Sequence, residues 1–294
     1  MSFSFTHTWT FDATRDAVFS ALLDAPQLER WFAERVKIDA RIGGTYGFWG
    51  RHTLGAPAEA DATQRILALE PLERLVYTWK LHGVDTEVEL KFGTSPKGAT
   101  LALTHSVKGS LGITRERELI DDHWRFVFGN LAAHLAGGEG IVRPDFTDPR
   151  PEVRMTVHID APNDTVWRTL TDPALVGKWF GSEKVRIELV PGGAYEVVWE
   201  YKVDGRDVIG GTTRILDIEQ GKRLVVQWLD WRGDLSVDSQ FISFTLEPKG
   251  KATALHFVHG GFGRTADLSD FPFGWVYFLG NLKEMAAKQV AEPG

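Results

Sequence analysis

The sequence predicts two tandem α+β domains, each expected to be a curved antiparallel sheet wrapped around a long C-terminal helix, with two short helices near its N-terminus. Three observations lead to this fold class. The chain has 294 residues, which exceeds the size that a single hydrophobic core usually reaches. Its two halves carry the same landmark residues in the same order. Each half opens with strand-like alternation and closes with apolar residues at helical spacing.

The internal repeat is visible at aligned motifs throughout the two halves. Asp12 to Phe19 align without a gap with Asp160 to Trp167. Matches at tryptophan and glycine that keep a constant order over half a chain are rarely obtained by chance, so we interpret them as a duplication. The further aligned positions are Trp31-Phe32 with Trp179-Phe180, Gly43-Gly44-Thr45-Tyr46 with Gly192-Gly193-Ala194-Tyr195, Arg65 with Arg214, Trp79 with Trp228, His105 with His259, and Trp124 with Trp275.

A segment rich in glycine and proline separates the two repeats. Gly137-Gly138 is expected to end the last helix of the first repeat, and the prolines that follow prevent regular structure from continuing. We therefore expect a first domain over residues 1–138, a linker over residues 139–152 and a second domain over residues 153–294.

The second repeat shows the order of the elements most clearly. Residues 153–159 alternate between apolar and polar, which predicts a strand with one buried face. Helical spacing follows over residues 162–170, and Asp172-Pro173 supplies an N-cap and a first-turn proline for a second short helix that ends near Phe180. Further strands are expected at about residues 195–201, 207–219, 224–231, 239–246 and 253–259, before a closing helix with Trp275, Leu279, Leu282 and Ala286 on one face.

The order of these elements predicts how the sheet is connected. Consecutive strands joined by short turns indicate a meandering antiparallel sheet rather than parallel strands with helical crossovers. A curved sheet that grips the closing helix buries the apolar faces of both. If the short helices close one end, a cavity can remain between the sheet and the helix.

Several of these motifs resemble a known family. Thr171-Asp172-Pro173, Lys178-Trp179-Phe180 and Pro191-Gly192-Gly193-Ala194-Tyr195, together with Trp228 and Trp275, are similar to motifs of the AHA-type homologues of the heat-shock-protein-ninety ATPase activator. The first repeat shows the same landmarks more loosely, and the two stretches cover nearly the whole chain. The resemblance implies the helix-grip fold of the START-like, SRPBCC or birch-pollen-allergen-like superfamily. It also implies a chaperone partner, although a second copy stands where the eukaryotic activators have a separate N-terminal domain.

Strand parity places aromatic and apolar side chains on the inner face of each sheet, and the closing helices add more. These rings either line a pocket for a ligand or fill the core, and the sequence leaves both interpretations open. In the first repeat the predicted lining is His7, Trp9, Tyr46, Phe48, Tyr77, Trp79, His105, Trp124 and Phe128. In the second repeat it is Met155, Tyr195, Val197, Trp199, Tyr201, Trp228, Phe257, His259, Trp275 and Leu279.

The two equivalent histidines are predicted to face inward at the end of an apolar strand. His105 and His259 could anchor a carbonyl or phenol of a ligand by a hydrogen bond, or donate a proton to it. The interpretation that we favour is structural, with each imidazole satisfied by the backbone or by a tyrosine such as Tyr46.

Composition and spacing exclude several classes of function. The chain has no cysteine, which removes disulfides, thiolate nucleophiles and cysteine-ligated metals. Its histidines and glycines lack the spacing of a metal site or a phosphate-binding loop, so no metal and no cofactor are expected. A net charge of −7 disfavours nucleic acid. No stretch has the roughly 20 apolar residues of a membrane span, so a cytoplasmic protein that does not bind membranes is expected.

The leading hypothesis is non-catalytic binding of a small apolar or aromatic molecule in the cavity between sheet and helix of one or both repeats. A chaperone-associated interaction module, with a chaperone or another protein as its partner, is the first alternative. A cyclase- or hydrolase-like enzyme is the second, and His7 with His105 is the only inward acid–base pair that the sequence offers for it. The duplication also predicts that the repeats pack as a pseudo-dimer within the chain.

Overall fold

The computed structural model describes residues 2–291 and divides into two compact units. The first unit comprises the chain through Pro149 together with the segment Arg264–Asp270. The second comprises Arg150–Gly263 and the chain from Phe271 onward. Each unit combines antiparallel strands with two short helices and one long closing helix, which confirms the predicted fold class.

The bounds of the elements are as follows. The first unit contains strands β1 Phe3–Phe11, β2 Arg35–Ile38, β3 Tyr46–Trp49, β4 Ile66–Glu70, β5 Arg74–Leu81, β6 Val84–Ser95 and β7 Gly98–Val107, with helices α1 Arg15–Leu23, α2 Ala25–Trp31 and α3 Glu116–Leu135. The second contains strands β8 Val153–Ile159, β9 Lys184–Ile187, β10 Ala194–Val203, β11 Arg206–Glu219, β12 Arg223–Trp228, β13 Phe241–Lys249 and β14 Ala252–Gly260, with helices α4 Asn163–Thr171, α5 Pro173–Phe180 and α6 Phe271–Ala291.

The sheets of the two units differ in extent. The second unit has a continuous seven-stranded sheet in the order β8-β14-β13-β12-β11-β10-β9. The first unit has a five-stranded sheet in the order β1-β7-β6-β5-β4, while β2 and β3 form a separate two-stranded sheet. Every described strand pair is antiparallel. The predicted meander is therefore confirmed in both units.

The length of one strand explains this difference. β10 runs for 10 residues, whereas its counterpart β3 runs for 4. The residue after β3 is Gly50, which has a φ of +96° and lies where an added Cβ would be 2.6 Å from a carboxylate oxygen of Glu34. The chain leaves the strand at this glycine, and an isolated bridge between Thr45 and Arg65 joins the two-stranded sheet to the start of β4.

The short helices meet at an aspartate in each unit. Asp172 ends α4 and caps α5, because its carboxylate accepts a hydrogen bond from the backbone N–H of Ala174 at 2.9 Å. Asp24 caps α2 in the same way, and accepts from the N–H of Gln27 at 2.9 Å. Gly181 ends α5 in the left-handed conformation that glycine favours. The aspartate–proline motif of the second repeat therefore has the predicted role.

Two details of the strands differ from the prediction. β12 was expected to continue to Trp231 but ends at Trp228, and residues 229–240 form a loop. Asp230 turns the chain there, because its carboxylate accepts from the backbone N–H groups of Arg232 and Asp234. The short strand β9 was not predicted, since four residues carry little periodic signal.

The closing helices supply much of the core. Each presents one apolar face to the sheet of its own repeat, as the helical spacing predicted. The buried apolar residues of α3 include Trp124, Phe128 and Leu131, and those of α6 include Trp275, Leu279, Leu282 and Ala286.

Candidate ligand-binding site

Equivalent tyrosines fasten the short helices to the sheet in both repeats. The hydroxyl of Tyr46 donates to the carbonyl oxygen of Leu22 at 2.6 Å, and that of Tyr195 donates to the carbonyl oxygen of Leu170 at 2.7 Å. Burial raises the pKa of both phenols, which therefore stay protonated. Because each hydroxyl already has a backbone partner, these tyrosines hold the fold together rather than present a free polar group.

Equivalent tryptophans and asparagines join the second short helix to its neighbours. Trp179 donates from Nε1 to the carbonyl oxygen of Thr169 at 3.0 Å, and Trp31 makes the corresponding bond to its own neighbour helix. The side-chain amides of Asn130 and Asn281 donate to the carbonyl oxygens of these two tryptophans. The landmarks that reveal the duplication are therefore mostly residues that hold the fold together.

The buried histidine of the first repeat has a complete set of hydrogen bonds. Trp124 Nε1 donates to His105 Nδ1 at 2.9 Å, so the proton of the neutral imidazole lies on Nε2. That nitrogen donates to Thr86 Oγ1 at 2.9 Å, and the hydroxyl donates in turn to the carbonyl oxygen of Trp79 at 2.7 Å. Burial lowers the pKa of His105 to about 3. The structural interpretation therefore fits this histidine, but its partners are Trp124 and Thr86 rather than the backbone or Tyr46, whose hydroxyl donates to Leu22.

The equivalent histidine of the second repeat has only half of that arrangement. Trp275 Nε1 donates to His259 Nδ1 at 3.0 Å, which again leaves the proton on Nε2. His259 Nε2 is buried and has no hydrogen-bond partner, and burial lowers the pKa of this imidazole to about 3. The indole Nε1 of Trp228 is also buried without a partner, and its ring centroid lies 5.3 Å from that of His259. Two unsatisfied donors therefore lie on neighbouring rings.

One residue on the neighbouring strand accounts for the difference. Each buried histidine pairs across the sheet with an aliphatic residue, which is Val88 in the first repeat and Ile242 in the second. Two residues before these positions lie Thr86 and Gln240, respectively. Gln240 is only 4% exposed, and its Oε1 has no hydrogen-bond partner. The second repeat thus replaces the hydroxyl that completes the first network by an amide that does not.

Aromatic rings surround the unsatisfied histidine. The centroid of His259 lies 4.5 Å from that of Phe271, at the start of α6, and 4.6 Å from that of Phe262. Phe262 is buried and Phe271 is half-buried. An apolar environment of this kind makes each hydrogen bond inside it stronger and each missing one more costly.

The two repeats place different residues next to the buried tryptophan of the sheet. Strand pairing with β2 and β9 makes Phe48 and Val197 equivalent, and two positions before the sheet tryptophan the first repeat has Tyr77 where the second has Val226. Phe48 packs edge-on against Trp79, with ring centroids 5.1 Å apart. The corresponding positions of the second repeat hold valines, so the aromatic packing beside its sheet tryptophan differs.

Two half-buried rings, those of Trp199 and Phe278, lie next to each other in the second repeat. Trp199 on β10 lies 5.9 Å from both Trp228 and Phe278 between ring centroids, and both Trp199 and Phe278 are half-buried. The first repeat has Gly50 and Val127 at the equivalent positions, four residues after the tyrosine and three after the helix tryptophan. These two aromatic side chains are therefore specific to the second repeat.

Most of the predicted lining residues lie inside their repeats. Those that are buried are Tyr46, Phe48, Tyr77, Trp79, His105, Trp124 and Phe128 in the first repeat and Tyr195, Val197, Trp228, Phe257, His259, Trp275 and Leu279 in the second. Those that are half-buried are Trp9, Met155, Trp199 and Tyr201. In the first repeat many of the rings contact one another directly, and Tyr46 and Tyr77, for example, lie 4.6 Å apart between centroids.

The prediction that His7 faces inward is wrong, because its side chain is exposed. It lies on the edge strand β1 and stacks between Phe5 and Trp9. Partial burial and the charge of Arg125 on α3 lower its pKa. Both ring nitrogens of His105 are meanwhile occupied by other partners, so the structure does not bring the two histidines together as an acid–base pair.

Sequence reasoning missed four residues around the candidate site, which are Gln240, Phe262, Phe271 and Phe278. Gln240 had a detectable signal, since it shares strand parity with Ile242 and Phe244 and stands as the one amide in that inward series. Phe262 follows a glycine-rich turn and Phe271 begins the closing helix, where periodicity gives no orientation. Phe278 had a detectable signal, since it lies three residues after Trp275 on the same helix.

A second histidine of the first repeat was also missed. His123 on α3 is buried, with neither ring nitrogen hydrogen-bonded, and its centroid lies 5.4 Å from that of Trp79. Burial, with a smaller contribution from His105, lowers its pKa to about 3. It sits directly before the helix tryptophan, where the second repeat has the exposed Gly274.

Three cavities open elsewhere on the described residues. One of about 400 Å³ lies between residues 54–64 and residues 80–83 of the first unit. A wider depression of about 640 Å³ lies beside α5, and a third of about 170 Å³ lies beside β2 and β3. No residue of the predicted lining contributes to any of these three.

Neither a metal site nor a membrane span is found in the described part of the chain. Residues 2–291 contain no group of three or more histidine, aspartate or glutamate side chains that could hold a metal ion. No helix within the same residues is long and apolar enough to cross a bilayer.

The fold and the buried landmarks define a pair of helix-grip domains of the START-like class. A sequence profile of the family described as Activator of Hsp90 ATPase homolog 1-like protein matches residues 12–136 and residues 160–287. The chain belongs to this family, with one family domain in each repeat. A comparison with curated protein sequences gives no match.

Comparison with solved structures finds proteins similar to all or half of the chain. DynU16, from the dynemicin biosynthetic locus, is 18% identical, with 96% of this chain and 98% of that chain covered and a TM-score of 0.41. CalU16 from Micromonospora echinospora is 26% identical over 46% of this chain and 76% of that chain, with a TM-score of 0.36. The Aha1 dimer from Colwellia psychrerythraea is 20% identical over 47% of this chain and 96% of that chain, also with a TM-score of 0.36.

Proposed function

We propose that the second repeat binds a small apolar or aromatic molecule between its sheet and α6, without catalysing a reaction. The observation that carries the proposal is His259 Nε2, a buried hydrogen-bond donor without a partner in an aromatic environment. A donor left in this state costs roughly 1–3 kcal/mol. The equivalent atom of His105 has its partner within the chain, so the cost is specific to one repeat.

The replacement of rings by valines supports the same assignment. Where the first repeat has the rings of Phe48 and Tyr77, the second has the buried side chains of Val197 and Val226, so two aliphatic residues replace two rings on the inner face of its sheet. The unpartnered atoms are enclosed by protein, so a ligand reaches them when the half-buried rings of Trp199 and Phe278 move aside. We infer that the first repeat serves as a packed structural copy.

The electrostatics of His259 favour binding over acid–base chemistry. Burial holds its pKa at about 3, so the imidazole is neutral near pH 7 and can donate a hydrogen bond but rarely a proton. Its Nδ1 already accepts from Trp275 and is not available as a base.

The experiment is a titration of the full-length protein with the fluorescent dye 1-anilinonaphthalene-8-sulfonate. We expect saturable binding to the wild type, and at least tenfold weaker binding to Val197→Phe, which copies the ring of Phe48 into the second repeat. The matched control is Leu103→Phe, which copies the ring of Phe257 into the first repeat and should bind the dye as the wild type does. Circular dichroism verifies that both variants are folded. Absence of saturable binding to the wild type, or wild-type binding by folded Val197→Phe, would overturn the proposal.

Family membership supports a second candidate role, as a chaperone-associated module. This role predicts that the full-length protein raises the ATPase rate of Hsp90 from the same organism. An unchanged rate at saturating protein removes it, and the result is independent of the dye titration.

A further inference from the structure

We propose that the ligand of the second repeat is recognised through a hydroxyl group, whose oxygen accepts from His259 Nε2 and Trp228 Nε1 and whose proton is donated to Gln240 Oε1. This inference rests on the proposed function and specifies the chemistry of the ligand. It assigns all three unpartnered polar atoms of this region to one functional group.

The direction of each hydrogen bond follows from the atoms. His259 Nε2 must carry the imidazole proton, because Nδ1 accepts from Trp275. An indole nitrogen such as Trp228 Nε1 can only donate, and an amide oxygen such as Gln240 Oε1 can only accept. The region therefore offers two donors and one acceptor. A hydroxyl is the smallest neutral group that accepts two hydrogen bonds and donates one.

The first repeat provides a precedent for this recognition within the same chain. There the partner of His105 Nε2 is itself a hydroxyl, that of Thr86, which accepts from the histidine and donates to a carbonyl oxygen. Strand register puts Gln240 at the position of Thr86. The second repeat thus has no protein hydroxyl at the position of Thr86. The hydroxyl of a ligand takes its place as the hydrogen-bond partner of the histidine.

The two rings and the glutamine lie close to one another. The centroids of His259 and Trp228 are 5.3 Å apart, and the backbone N–H of Trp228 donates to the carbonyl oxygen of Gln240 at 3.0 Å. All three residues therefore belong to one small region. Phe262 and Phe271 pack around the same histidine, which suits an aryl group attached to the hydroxyl.

The test compares three naphthalenes that differ in one substituent. 2-Naphthol accepts and donates, 2-methoxynaphthalene only accepts, and 2-methylnaphthalene does neither. Titrations of the full-length protein are expected to give the tightest binding for 2-naphthol and the weakest for 2-methylnaphthalene, with about tenfold or more between the two. In Gln240→Thr, whose new hydroxyl can satisfy His259 within the chain as Thr86 does, the advantage of 2-naphthol should disappear.

A spectroscopic readout separates recognition from a change in packing. The indole N–H signal of Trp228 should move downfield with 2-naphthol and not with 2-methylnaphthalene. The signal of Trp124 should stay in place with both, since its indole N–H is already hydrogen-bonded. Equal affinities for the three compounds, or an unmoved Trp228 signal at saturation, would overturn this inference while leaving the proposed function intact. If none of the three compounds binds, this inference fails, and the dye titration decides the proposed function.

Discussion

In each repeat a tryptophan of the closing helix donates a hydrogen bond to Nδ1 of a buried histidine. The repeats differ in whether Nε2 of that histidine has a partner. Trp124 and Trp275 each donate to Nδ1 of their histidine at about the same distance, 2.9 and 3.0 Å. Only His105 has a partner at Nε2, which is the hydroxyl of Thr86. The duplication has therefore kept the hydrogen bond that orients the ring and has changed the atom that completes it. At this position the first repeat satisfies both ring nitrogens of its histidine, whereas the second leaves Nε2 without a partner.

Acid should distinguish the repeats most strongly. His105 and His123 of the first repeat and His259 of the second have folded-state pKa values of about 3, against about 6.5 when unfolded. The unfolded chain therefore takes up protons first, so stability is highest above pH 6.5 and is lost as the pH falls towards 3. Each histidine contributes about 1.4 kcal/mol per pH unit in this window, so the first repeat, which has two of them, should lose more stability than the second.

The measurement is a series of two-dimensional NMR spectra of the full-length protein between pH 7 and pH 3. Signals of the first repeat should disappear at a higher pH than those of the second. His123→Leu should narrow the gap, because it removes one of the two fully buried histidines from the first repeat. If the signals of both repeats disappear at the same pH in the wild type, the expected difference in acid stability between the repeats is wrong.

Loss of the Thr86 hydroxyl should destabilise the first repeat, whereas the matched change at Gln240 should not destabilise the second. Thr86→Val leaves His105 Nε2 buried without a partner, which should lower the free energy of unfolding of the first repeat by about 1–3 kcal/mol. Gln240→Leu is the matched change in the second repeat, and it should have little effect or be slightly stabilising, since the amide oxygen there is already unpartnered. Urea unfolding of both variants checks this, and equal losses would show that the two networks are alike.

The smallest difference in stability between the repeats is expected on mutation of Tyr46 and Tyr195, because these residues make equivalent hydrogen bonds. Tyr46→Phe and Tyr195→Phe each remove a hydroxyl that donates to a backbone carbonyl oxygen of the short helices. Each should cost about 1 kcal/mol in its own repeat, and the two losses should match within error. Urea unfolding again provides the measurement. A large inequality would mean that the repeats have diverged in the fold-holding contacts as well.

Strand parity correctly predicted which side chains of the inner strands are buried. It failed to predict the exposure of a side chain on the edge strand β1. It correctly placed residues such as Trp79 and Phe257 inside, because alternate residues of a strand face the same side. It gave His7 the same face, but parity does not say how much of that face a helix covers at an edge strand. It also could not show that Gln240 and His259 are neighbours, since they come together through strand register.

The sequence by itself determined the duplication, the order of the elements, the antiparallel topology and the landmark residues of both repeats. These follow from local periodicity, capping residues and aligned motifs, which depend on residues close together in the chain. Only the tertiary structure decided which histidine lacks a partner, because Thr86 and His105 are 19 residues apart in sequence and meet across two strands. The satisfaction of a buried polar atom depends on which side chain the register brings to it, and a linear pattern contains no record of that pairing.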